Sequence, residues 1–217
     1  MRSKQGYHTE TPGRLDLSRW PYIRSVAFTG DLQADAATLL TVNGKPKTAA
    51  HSLAVANTSR VLAARFGLDA ERAAAAALLH DSSNIIKPRD MLAFAVSERW
   101  AIDPAEREHP FLLHQRLSAV LAQALFTVND EAVVSAVACH STLKPGPSDY
   151  DMALFLADKL SWDQEGAPPF YDAVSQALDR SLRYASLTYI NFVLENSMIL
   201  SPHRWLLEAK RWLEEHL

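Results

Sequence analysis

Ionisable side chains stand where a helical pattern calls for apolar ones, and nothing else restricts the fold of this chain as much. His114 shares a stripe with Phe111, Leu117 and Leu121, His140 follows Val133 and Val137, and Asp158 lies on the face of Leu154 and Phe155. His80 and Asp81 close an almost wholly apolar run, AAAAALL. Carboxylates and imidazoles are costly to bury unless paired, protonated or bound to metal. A fold that buries these faces must bring the groups to common partners. Each alone has an ordinary reading: a single histidine on an apolar face is more often a satisfied core residue, and Asp158-Lys159 would serve as a surface ion pair.

The frame around them is helical almost throughout. Gly6, Gly13, Gly30, Gly44, Gly67, Gly146 and Gly166 all fall at connections between periodic segments. Thr48 is placed to cap a helix through HSLAVANTSRVLAARF, with Gly67 ending it. Asp69 caps ERAAAAALLHD, and Asp103 before Pro104 marks another start. Asn129 or Asp130 begins EAVVSAVACH, and Ser148 begins DYDMALFLADKLSW. WPYIRSVAF and DLQADAATLLTV read as one or two short helices, and further amphipathic helices are expected at roughly 170–185, 187–197 and 203–215. Alternating β-branched runs are missing. The expectation is an all-α fold, with a flexible polar leader over residues 1–15 and a single helical domain over 16–217. The amphipathic C-terminal stretch HRWLLEAKRWLEEHL is expected to pack on the domain, with a homodimer contact as the alternative.

With 48% apolar and 22% charged residues the chain can bury a sizeable core. A formal charge of -3, spread along the sequence, argues against an electrostatic nucleic-acid binder. A small anionic substrate needs only one local cluster of cations, so it stays open. Cys139 is the single cysteine, which excludes an intramolecular disulfide and a cysteine-rich zinc cluster. No early apolar run resembles a signal peptide and no stretch is long enough to cross a bilayer, so a cytoplasmic location without a membrane partner is expected.

In chain order the ionisable groups are His51, His80-Asp81, His114, His140 and Asp158, each on its own expected helix. That layout resembles the HD superfamily of metal-dependent phosphohydrolases, and within it the YqeK branch of symmetrical diadenosine tetraphosphate hydrolases. The resemblance rests on AHSLAVANTSRVLAARFGLDAERAAAAALLHD, HPFLLHQRLSAVLAQALF, AVVSAVACHSTL and MALFLADKL, roughly residues 45–165. It implies an HD-domain helical bundle with additional N- and C-terminal helices. It also implies that His51, His80, Asp81 and Asp158 hold one metal ion and His114 and His140 a second, with Asp81 bridging. Members of the branch are similar to di-iron proteins, so two divalent ions are implied, iron first. The imidazole and carboxylate donors also suit manganese or zinc.

Several positions depart from the family pattern, and they fall on the side that meets substrate. Asn84 stands where the HDxxK lysine is usual, and Lys87 is the nearest later cation. Leu143 replaces a common glycine in HSTLKPG, followed by Lys144, and LSWDQEG replaces an acidic-Pro-Arg segment. Lys144 and Lys159 are the candidates for supplying the missing charge during catalysis beside Asp81. Asn84, Lys87, Arg116 and Thr142 are the candidate substrate contacts, and Trp162 stands near enough to the motif to touch a base. The resemblance implies hydrolysis of a nucleotide phosphoanhydride or phosphoester, with diadenosine tetraphosphate to two ADP as the first substrate. The alternatives are a non-catalytic nucleotide sensor, motivated by Asn84, and an HD-type di-iron oxygenase.

Overall fold

Local side chains set most of the helix starts in the computed structural model, which describes residues 15–162 and 166–217. Asp31 caps α1 (Leu32–Val42) and Asp69 caps α3 (Ala70–Leu79), each accepting a backbone N–H three residues on. Asp103 and Ser148 form reciprocal capping boxes at α5 (Pro104–Glu108) and α8 (Asp149–Leu160), and Asp130 caps α7 (Glu131–Cys139). Between them run α2 (Pro46–Phe66), α4 (Pro88–Ser97) and α6 (His114–Ala124). The C-terminal helices are α9 (Tyr171–Ala177), α10 (Leu182–Glu195) and α11 (Arg204–Glu215). There is no strand among the described residues, and none of their helices is long and apolar enough to cross a membrane. The all-α expectation holds.

Some boundaries differ, for local reasons. The helix α2 starts at Pro46, a residue with preset φ, so Thr48 lies inside the first turn and caps nothing. Gly67 does end it, at φ 70, in the left-handed region where a Cβ is unfavourable. The single helix expected near 170–185 breaks into α9 and α10, because the Ser181 hydroxyl caps α10 at the Tyr184 N–H. WPYIRSVAF is not helical: Pro21 follows Trp20, and the chain runs irregularly to α1. The expected leader lies outside the described residues except for Leu15, which is buried.

Two apolar clusters flank the ionisable groups. The larger joins α2, α3, α7, α8, α9, α10 and α11, and includes Leu206, Ala209 and Leu213, so the apolar face of α11 packs on its own chain. The smaller gathers Trp20, Leu39, Leu40, Ile86, Met91, Phe94, Leu113, Leu117 and Leu121. Among the described residues before α1, Trp20 and Tyr22 pack on α4: Trp20 meets Phe94, and Tyr22 donates to Asp90 at 2.5 Å. The helix α6 contributes Leu117 and Leu121 to one cluster and Ala119 and Ala122 to the other. Its first residue is His114, so the ionisable groups sit where the two clusters meet.

Candidate metal centre

Helix ends place most of these side chains. His80 and His140 are the C-terminal caps of α3 and α7, His114 opens α6, and Asp81 leads into a short 3-10 turn, Ser82–Ile85. His51 and Asp158 reach the same point from within α2 and α8. His80, His114 and His140 each direct Nδ1 to the backbone carbonyl three residues earlier, at 2.7, 2.7 and 2.9 Å on Ala77, Phe111 and Val137. A carbonyl only accepts, so Nδ1 carries the hydrogen and the neutral ring presents its lone pair at Nε2.

Those Nε2 atoms converge on the two carboxylates. Asp81 Oδ1 lies 3.3 Å from His114 and 3.6 Å from His140, and Asp81 Oδ2 lies 3.6 Å from His80. Asp158 Oδ1 lies 2.9 Å from His51 and 3.5 Å from His80. All six expected ligands are thus brought together. Two triads, His51–His80–Asp158 and His80–Asp81–His140, have donor atoms within 4.8 Å of one another.

The bare protein leaves this arrangement electrostatically unresolved. His114 and His140 face each other through Nε2 at 2.9 Å, although each already donates through Nδ1, so two lone pairs would oppose. His80 Nε2 is buried without a hydrogen bond. Burial alone would lower the His80 pKa, but the charges of Asp81 and Asp158 more than offset it and push it up to about 9. Burial pulls the His140 pKa down to about 4, with the neighbouring His80 and His114 adding to the effect. Both aspartates are held well below the usual carboxylate range despite burial, Asp81 chiefly by His80 and Asp158 chiefly by Lys159. Converging carboxylates, imidazole Nε2 atoms aimed at them and a buried His80 Nε2 without a hydrogen bond fit divalent cations.

The other expected contacts divide. Lys159 belongs to the cluster: its ammonium donates to Asp158 Oδ2 at 2.6 Å and to the His140 carbonyl at 3.1 Å. Asn84 follows on the turn after Asp81, with its Oδ1 buried and unpartnered. Thr142 is buried, and its hydroxyl is engaged by Gln115 at 3.0 Å. Lys87 is exposed over the Tyr22 ring, and Arg116 is turned to the Ala101 carbonyl and the Trp100 face. Trp162 packs against Phe170 at 6.2 Å rather than opening toward a ligand, and the Asp163 and Gln164 that follow lie outside the described residues.

Lys144 is also held elsewhere. It donates to Ser135 and pairs with the fully buried Asp151 at 3.1 Å. A Lys144→Met variant is expected to lose about 1–3 kcal/mol of stability in denaturant melts, since Asp151 keeps only the Ser135 and Ser148 bonds. Its metal content should equal wild type; a drop would place the lysine at the site after all.

One positioning residue escaped the sequence reading. Gln115, fully buried beside His114, accepts from the Ser141 and Thr142 N–H groups at 3.1 and 3.3 Å and so fixes the loop after His140. Its only sequence signal was a polar residue at the start of a buried helix.

Residues 48–163 match the HD domain family, a span that holds all six clustered residues. The chain belongs to the HD-domain family. An uncharacterised Lactococcus lactis subsp. cremoris protein from the pepC 5′ region is 38% identical over 142 residues, 65% of this chain and 72% of that protein. The symmetrical bis(5′-nucleosyl)-tetraphosphatase of Bacillus subtilis (strain 168) is 26% identical over 167 residues, covering 75% of this chain and 87% of that one. A solved structure from Clostridium acetobutylicum, described as a predicted HD superfamily hydrolase involved in NAD metabolism, superposes with a TM-score of 0.75. It is 25% identical and covers 88% of this chain and 100% of that one. The HD domain here is therefore that of a metal-dependent phosphohydrolase, and its histidine and aspartate groups are competent to hold divalent metal.

Proposed function

We propose that the chain hydrolyses a nucleotide phosphoanhydride, with diadenosine tetraphosphate cleaved to two ADP as the first candidate. The observation that carries this reading is the convergence on Asp81 of three imidazoles, from His80, His114 and His140, whose Nδ1 bonds to backbone carbonyls aim Nε2 inward. His51, His80, Asp81 and Asp158 would hold one ion, and His114 and His140 the other, with Asp81 shared. Iron is the first choice and manganese or zinc the alternatives. Bound there, such cations supply Lewis acidity toward phosphoryl oxygens and lower the pKa of water.

The residues of the chain do the positioning. The Ala77, Phe111 and Val137 carbonyls lock the three rings in one tautomer. Lys159 fixes Asp158 Oδ2, which leaves Oδ1 directed at His51 and His80. The same ammonium is a fixed positive charge within the cluster, suited to a phosphate oxygen now that Asn84 stands in the lysine position. The tetraphosphate substrate is suggested by relatives that carry that name.

The test is elemental analysis of purified protein followed by product analysis on diadenosine tetraphosphate. About two iron, manganese or zinc ions per chain and ADP as sole product support the proposal. ATP with AMP would overturn the symmetrical cleavage. Metal with nucleotide binding and no turnover on any polyphosphate would favour the sensor. A chain that refuses added metal would overturn the centre.

A further inference from the structure

The apolar stripe expected to bury Phe111 with Leu117 and Leu121 does not form at its first position. Residues Pro110–Leu113 make a 3-10 turn rather than the first turn of α6, so Phe111 leaves the helical face that buries the two leucines. Its side chain is 46% exposed and lies flat on His114, with ring centroids 4.5 Å apart and planes 13° from parallel. The turn is tied at both ends: Leu112 N–H donates to the His109 carbonyl at 2.9 Å, and the Phe111 carbonyl accepts from His114 Nδ1 at 2.7 Å. Among the described residues, the other exposed aromatic rings are engaged or distant in sequence from the motifs. Tyr22 is bonded to Asp90, Phe28 is set edge-on to Phe126, and Tyr171 stands on α9.

We infer that Phe111 is the platform on which a nucleobase of the substrate stacks. This rests on the reading of the centre as a nucleotide phosphohydrolase and names the part of it that recognises the base. One face of the ring is covered by His114, whose Nε2 lies 3.3 Å from Asp81 Oδ1, so the ring edge borders the place where phosphates would be held. The rest is a flat apolar surface within a nucleoside's reach of that place. A ring held by a short, doubly tied turn loses little freedom when a base covers it. Stacking tolerates any base, since every base has a π-face. The preference here is therefore for nucleotides over inorganic polyphosphates, rather than for adenine over guanine.

The test is calorimetric titration of the metal-loaded full chain with ADP and, separately, with inorganic pyrophosphate, which has no base. Wild type, Phe111→Ala and Phe111→Trp are compared at matched metal content. Phe111→Ala is expected to weaken ADP about ten- to a hundredfold and leave pyrophosphate unchanged, while Phe111→Trp holds ADP near wild type. Equal weakening of both ligands, no weakening of either, or loss of metal from Phe111→Ala would overturn the platform. Base-dependent binding in a chain that fails to hydrolyse diadenosine tetraphosphate would uphold the platform and refute that substrate.

Discussion

Asp81→Ala is expected to take bound metal from about two ions per chain to well below one and to lower turnover by about a thousandfold or more. Asp81 is the carboxylate that reaches both halves of the centre, touching His114 and His140 through Oδ1 and His80 through Oδ2. Without it the His114–His140 pair has no anion beside it, and two imidazoles alone hold a divalent ion weakly. Metal catalysis contributes several kcal/mol of transition-state stabilisation, and at about 1.4 kcal/mol per tenfold that is about three decades or more. Removing a buried anion among histidines also disturbs folding, so Asp81→Asn, nearly the same shape, is measured beside it. The expected pattern is a folded Asp81→Asn chain with metal lost and turnover lost. Full metal content with full turnover in a folded Asp81→Asn would remove Asp81 from the centre.

Five of the six clustered residues were legible because burial of a charge conflicts with a helical apolar face, and that conflict is visible in sequence. His51 entered only through the order of the motifs in the HD resemblance. Helix starts were legible at Asp69, Asp130 and Ser148, each capping three residues ahead. Ser181 caps α10 in the same way, yet it read as the interior of a single helix. What periodicity could not show was a change of helix type. The 3-10 turn at Pro110–Leu113 rotates Phe111 off its expected stripe, and nothing in HPFLLH distinguishes three residues per turn from 3.6. Nor could sequence say which lysines face the centre. Lys144 and Lys159 looked equivalent, yet one is committed to Asp151 and the other to Asp158.

Leu143 shows how a departure from a family pattern acquires a physical meaning. It has φ 56, in the left-handed region that favours glycine, the residue common there in the resembling family. That conformation costs a non-glycine residue about 1–2 kcal/mol. The Leu143 side chain is fully buried in the larger apolar cluster, a gain of about 1.5–3 kcal/mol that offsets the strain. The loop after His140 can thus keep the turn without the glycine.

Removing metal with a chelator is expected to lower the melting temperature by about 8–16 °C, and the gap should narrow as pH falls. Metal that binds only the folded chain at a thousand times its dissociation constant stabilises by about 4 kcal/mol, and about 2–4 °C per kcal/mol holds for a chain of this size. The pH term follows from His80, whose pKa in the metal-free protein is about 9, set by Asp81 and Asp158 against burial. A raised folded pKa adds stability that is complete below the unfolded value near 6.5 and is lost as pH rises through 9. The metal-free chain therefore loses stability from about pH 6.5 upward, whereas the metal-bound chain has already given up that proton. His140, with its pKa near 4, carries no proton across this window. One displaced proton corresponds to about tenfold in apparent affinity per pH unit, or about 1.4 kcal/mol. Between pH 8 and pH 6 the metal-dependent gap should shrink by several degrees, read by paired melts with and without chelator. A gap that is constant over that range, or wider at pH 6, would mean that metal displaces no proton from His80 and that His80 is not a ligand.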